Sequence, residues 1–166
     1  MKESKDASLA PVAYMERTRQ YYRALGYPSD YRWAANDAAP FTSLAKPLAE
    51  ARIAVVVTSP PMGDWSDDRP PPKTVWSGSV ADAPEALFTL NLAWDKESTH
   101  TRDRETYLPL ATLGALARSG VIGGLTERFH SVPTVYSHRE TLEHDAPAIL
   151  ERVREDRADA ALFVPL

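Results

Sequence analysis

No cysteine occurs among the 166 residues, and that single absence excludes disulfides, thiolate zinc sites, iron–sulfur clusters and cysteine nucleophiles. A basic block is also lacking. The 19 Lys and Arg residues face 23 Asp and Glu, for a net charge of −4, which argues against affinity built on neutralising phosphates, so no nucleic-acid partner is expected. The longest aliphatic run, Ile53 to Val57, is far below the roughly 18 residues of a membrane span. Met1-Lys2-Glu3-Ser4-Lys5-Asp6 lacks the apolar core of a signal peptide, and a soluble cytoplasmic chain without a membrane partner is the expectation. Nucleotide fingerprints are missing as well: Gly120, Gly123 and Gly124 do not form the dinucleotide pattern, and no Gly-Lys-Ser/Thr loop exists. Ser77-Gly78-Ser79 is not the Gly-x-Ser-x-Gly turn of a serine nucleophile.

What is present suits a folding chain, with 43% hydrophobic and 25% charged residues, near the globular norm and sized for one core. Residues 1–10 read as a disordered polar tail and 11–166 as one α/β domain. Tyr14, Thr18, Tyr21 and Leu25 recur at helical spacing up to Gly26 and Pro28, a stripe followed by a stop. Residues 29–50 read as irregular chain draped over the core, and the aromatics Tyr14, Tyr21, Tyr31, Trp33 and Phe41 as core rather than site. Ile53-Ala54-Val55-Val56-Val57 has no alternation and predicts a strand covered on both faces of a parallel sheet. Proline, 14 residues in all, concentrates in the loop 58–75 that follows this strand. Leu87 to Trp94 predicts a more exposed strand, and Leu110 to Ala117 a short helix closed at Gly120. Ser137-His138-Arg139-Glu140 has capping-box spacing at the head of a helix over 138–156, disturbed near Pro147. Ala160 to Val164 reads as a second central parallel strand. The expected fold is an open, mainly parallel α/β sheet with helices on both faces, doubly wound in the Rossmann or flavodoxin manner and incomplete.

In such sheets ligands sit beyond the carboxyl ends of the strands, which makes Thr58 and Ser59 candidates to take a ligand carboxylate through hydroxyls and backbone N–H groups. Asp95, His100, Asp103 and Arg104 form the densest polar cluster, and Asp95, His100 and Asp103 are candidates to hold a small amine or amino acid. The same three could serve a metal-assisted hydrolase, yet no His-x-x-x-His spacing supports a metal site, and His138 and His144 lie too far apart on one helix to share an ion.

Tyr14-Met15-Glu16-Arg17-Thr18-Arg19-Gln20-Tyr21-Tyr22, Gly26-Tyr27-Pro28, Tyr31-Arg32-Trp33-Ala34, Pro40-Phe41-Thr42 and Ala45-Lys46-Pro47-Leu48 resemble, in order, blocks of the selenoprotein B family of glycine, sarcosine, betaine and D-proline reductases. Trp94-Asp95, Leu108-Pro109-Leu110 through Leu113, Gly120-Val121-Ile122-Gly123 and Asp159-Ala160-Ala161-Leu162-Phe163-Val164-Pro165 continue the resemblance over nearly the whole chain. Arg157 stands where family members usually carry glycine, and Thr58-Ser59-Pro60-Pro61 replaces a more glycine-rich turn. The resemblance implies reductive C–N cleavage of an amino acid or amine, with a pyruvoyl group on a partner reductase subunit holding the substrate and a thioredoxin-like dithiol supplying electrons. It also implies a selenocysteine or cysteine nucleophile directly after Leu166, so that a UGA codon read as stop would leave this chain truncated and inactive alone. No catalytic residue, metal or cofactor is then expected within the chain itself, and self-association is left open. The rival expectation is a non-catalytic α/β binding or subunit-assembly module.

Overall fold

The computed structural model describes residues 13–30, 32, 34–90, 100–135 and 137–166, in two compact units, Met1–Pro40 and Phe41–Leu166. The tail 1–10, Tyr31, Trp33, Trp94 and Asp95 lie outside the described residues. In the first unit, α1 (Tyr14–Ala24) ends as its spacing predicts, at Gly26 with φ +84°, the left-handed conformation that glycine takes without a Cβ penalty. Its stripe is not a core. α1 has no buried residue, and Tyr14, Tyr21 and Leu25 are exposed. The aromatics instead meet edge to face, Tyr21 with Tyr22 at 5.5 Å and Tyr22 with Tyr27 at 5.4 Å, because one short helix offers its own stripe nothing to bury against. Phe41, in the second unit, is 90% exposed, so it too departs from the expected core role.

The second unit is built on β1 (Arg52–Val57), whose Ile53 to Val57 are all buried. An unbroken β-branched run has no polar face to turn to water, and that is why it occupies the covered centre of the sheet. One edge of β1 pairs along its length with β5 (Ala160–Val164), in parallel register Ile53↔Ala160 to Val57↔Val164. The other edge takes β3 (Gly124–Leu125) at Arg52↔Gly124 and β4 (Arg128–Ser131) at Val56↔His130, both parallel. Two extra residues therefore separate the two pairings on that side, a bulge at 126–127 where Thr126 is buried and its N–H donates to the Ile53 carbonyl at 3.0 Å. β2 (Trp76–Ser79) adds antiparallel to β4, so the sheet is open and mixed. β5 makes no other pairing among the described residues, and Leu162 and Phe163 are exposed. It is an edge strand, against the central position expected of it.

Helices flank the sheet. α2 (Leu110–Arg118) packs Leu110 and Leu113 on Ile53, Val55, Val57 and Phe129, burial worth about 1.5–3 kcal/mol for each large side chain. Neighbouring strand residues point to opposite faces, and the residues next to Phe129 and Trp76, namely His130 and Ser77, are bonded by α4 (Ala146–Glu155) and the Asp156 that ends it. α2 and α4 thus cover opposite faces. The route into α4 starts at α3 (His138–Glu140), where Ser137 Oγ accepts from the Glu140 N–H at 3.2 Å as the capping box predicts. A π-helical turn, Thr141–Asp145, follows immediately before Pro147. Proline removes a donor and its ring crowds the carbonyl four residues back, and the wider turn relieves that crowding. Leu87 to Leu90 form no strand, because their backbone is claimed elsewhere. The Leu87 N–H donates to the Tyr107 hydroxyl at 3.2 Å and the Phe88 N–H to the Pro60 carbonyl at 3.0 Å. The remainder of the expected strand, from 91 onward, lies outside the described residues.

Candidate functional site

Where β1 ends, the proline-rich chain cannot join the sheet, and it folds instead into one wall of a cleft of about 430 Å³. Thr58 and Pro60 from the end of β1, and Ser131 from the end of β4, form the strand side. The loop contributes Trp65, Asp67 and Lys73, while Trp76 and Phe88 complete an aromatic lining. Lys73 and Asp67 make no ion pair among the described residues, and Thr74 and Thr134, whose hydroxyls have no hydrogen-bond partner among the described residues, also line this space. The cleft therefore offers one cation, one anion and free hydroxyls beside an apolar wall, the usual composition of a small-molecule site.

The loop wall is braced from within. Trp65 Nε1 donates to the Pro61 carbonyl at 2.9 Å, and Ser66 and Arg69 exchange backbone hydrogen bonds of 2.9 and 3.1 Å. Ser59 is fully buried beside this region; its carbonyl accepts from Ser131 Oγ at 2.7 Å, and its own hydroxyl has no partner among the described residues. The Leu166 N–H donates to Thr58 Oγ1 at 3.0 Å, which ties the end of the described chain to the cleft mouth. Asp103 instead caps the short helical turn Arg104–Thr106, its carboxylate accepting from the Glu105 N–H at 3.0 Å. His100 is exposed, and neither it nor Asp103 lines the cleft. Of the five candidates, Thr58 lines it, Ser59 lies next to it in sequence, and Asp95 is outside the described residues. The aromatic wall and Lys73 escaped residue-type reasoning, although the loop's start at a strand end pointed to the place.

A second constellation lies on the α4 face. Arg152 Nη1 donates to Ser77 Oγ at 2.7 Å, and the Ser77 hydroxyl is hydrogen-bonded to His130 Nδ1 at 2.9 Å. His130 Nε2 lies 3.1 Å from Asp156 Oδ2, off the line of a hydrogen bond, so the contact is electrostatic. Arg128 Nε donates to Asp156 Oδ1 at 2.8 Å, and its Nη2 also reaches Glu155 at 2.9 Å. Burial pushes His130 below its ordinary value; Asp156 opposes that, and Arg128 and Arg152 reinforce it. Although serine, histidine and aspartate adjoin, Ser77 Oγ is already held by Arg152, and Ser77 is not among the residues that line the cleft at the end of β1. The network pins α4 to β2 and β4. Among the described residues no group of His, Asp and Glu could hold a metal ion, and no helix is long and apolar enough to cross a membrane. Comparison with protein-family models, with curated proteins and with solved structures finds no match to this chain.

Proposed function

We propose that the chain is the scaffold of a selenoprotein B-like subunit in a reductase of the glycine, sarcosine, betaine and D-proline type, with a doubly wound, flavodoxin-like completion of its sheet. The observation that carries this reading is the backbone at Arg157, with φ +53° the one non-glycine residue at positive φ among those described. Side chains occupy that region at a cost, whereas glycine does not, and the family resemblance independently calls for glycine at this position. The contact of Leu166 with Thr58 supports the reading further, since a nucleophile following Leu166 would emerge at the cleft mouth.

In this reading the cleft binds and orients an amine or amino acid, and the residue after Leu166 supplies a selenolate or thiolate for reductive C–N cleavage, with electrons from a thioredoxin-like dithiol. A selenol suits the role because the anion is the reactive form. In this reading the pyruvoyl group belongs to a partner subunit. The test is the native protein. An intact mass well above 18.4 kDa with a selenium isotope pattern, and a UGA codon after that of Leu166 opening into a cysteine within a few codons, are expected. A UAA or UAG codon with no reading frame beyond overturns the reading. A non-catalytic assembly module would then take its place, favoured by the open edge of β5 with its exposed Leu162 and Phe163.

A further inference from the structure

We infer that the cleft takes a zwitterion carrying a bulky apolar or aromatic group, and that Trp65 is the wall that selects it. The inference rests on the cleft being the substrate site of the reading above, and it sharpens the substrate class. A space of about 430 Å³ lies within the range of sites that hold drug-sized ligands, and a substrate of five or six heavy atoms would leave most of it to water. Its lining divides by chemistry. Lys73 and Asp67, unpaired among the described residues, match a carboxylate and an ammonium, while Trp65, Trp76 and Phe88 supply aromatic surface, the buried Trp76 Nε1 having no partner among the described residues.

Trp65 is held where a selecting wall must be, by contacts local to its own loop. Its indole N–H is spent on the Pro61 carbonyl at 2.9 Å, so the ring offers the cleft its apolar surface rather than a donor. The indole lies across Gly63 so closely that a Cβ there would overlap the ring and stand 2.7 Å from Nε1. Only glycine permits that closeness. The Arg69 guanidinium stands 6.0 Å from the ring centroid, at the limit of a cation–π contact. Pro70, Pro71 and Pro72 restrict the returning chain, which limits the loop's freedom to rearrange around a ligand. Trp65 acts here as a positioning and specificity residue, not a catalytic one.

The test measures binding to the full chain by isothermal titration and tryptophan fluorescence, with N-methyl-L-phenylalanine, sarcosine and 3-phenylpropionate as probes. N-methyl-L-phenylalanine should bind about tenfold or more tightly than sarcosine, as burial of a phenyl group warrants. Trp65→Ala and Gly63→Ala should each erase most of that ratio with circular dichroism unchanged, the second by displacing the ring without removing it. Lys73→Gln should weaken both carboxylate-bearing aromatic probes, and Asp67→Asn only the one with an ammonium. Equal binding of sarcosine and N-methyl-L-phenylalanine, or no binding of either to the folded chain, overturns the inference. Selenium in the native protein together with equal binding would overturn the cleft assignment alone; an ordinary stop codon together with selective binding would overturn the reductase reading alone.

Discussion

Acidification through pH 6 should weaken the fold through one side chain, His130. The imidazole is fully buried, with Ser77 of β2 at Nδ1 and, at the end of α4, Asp156 near Nε2. Arg128 on β4 and Arg152 on α4 bring two cations to the same cluster, against the carboxylates of Asp156 and Glu155. A protonated imidazole would be a third cation out of reach of water, and its Nδ1–H would share the Ser77 hydroxyl oxygen with Arg152. The folded-state pKa is lowered from 6.5, foremost by burial. The folded protein therefore binds fewer protons than the unfolded chain once the pH drops below 6.5. Stability is complete above that value and is lost as the pH falls toward the folded value, with a slope of at most about 1.4 kcal/mol per pH unit for one proton. Between pH 7.5 and 5.5 the loss should be about 1 kcal/mol, or roughly 2–4 °C in Tm for a chain of this size. Urea titrations followed by tryptophan fluorescence suit the assay, because Trp76 stacks edge-on against Phe129 at 5.4 Å, next to His130. His130→Gln should be less stable at pH 7.5 by about 1–3 kcal/mol, the cost of a broken buried network, but should lose the acid slope. A variant that keeps the wild-type slope, or a wild type with none, refutes the assignment.

Asp145 should act in the opposite sense. It sits in the π-helical turn, 5% exposed, with Oδ2 unpartnered among the described residues, and burial followed by the nearby Glu140 raises its carboxyl above the ordinary value. Its contribution is favourable below the unfolded pKa and is lost as pH rises through the folded one, so Asp145→Asn should raise the urea midpoint at pH 7.5 and gain little near pH 4. At Arg157, φ +53° makes Arg157→Gly at least as stable as wild type, the relief of about 1–2 kcal/mol being partly offset by backbone entropy. Arg157→Val should lose at least about 1 kcal/mol by the same measurement, since β-branched residues tolerate that region least.

Local patterns proved legible where the physics is local. The β-branched run of β1, the glycine at φ +75° that follows α2 and the Ser137 cap each follow from residues within a few positions. β5 has the same apolar run as β1 but, among the described residues, an open edge, because the number of neighbours a strand has is decided by the rest of the sheet and leaves no periodic trace. Leu87 to Leu90 alternate like a strand, yet Tyr107 and Pro60 claim their backbone from a distance. For the candidate cleft, the strand-end rule points to Thr58 and the loop that line it, while Asp103, a charged residue in a polar cluster, caps its own helical turn. The link between Ser77 and His130 spans 53 positions, beyond any motif, and the place of Trp65 depends on how its loop folds back over Gly63.

The bulge between β3 and β4 has a consequence for how this chain can change in length. It inserts two residues opposite β1, and an even insertion leaves side-chain alternation intact, so that Leu125 and Phe129 both belong to the α2 face. Deleting one residue at 126–127 while keeping the pairing of β3 would reverse the sides of every later residue in β4. Phe129 would be presented to Arg152 and Asp156, and His130 to Val55 and Val57. A two-residue deletion would merely straighten the strand. Insertions and deletions at this point are therefore filtered by parity rather than by size, and a loss of two residues here is the milder lesion than a loss of one.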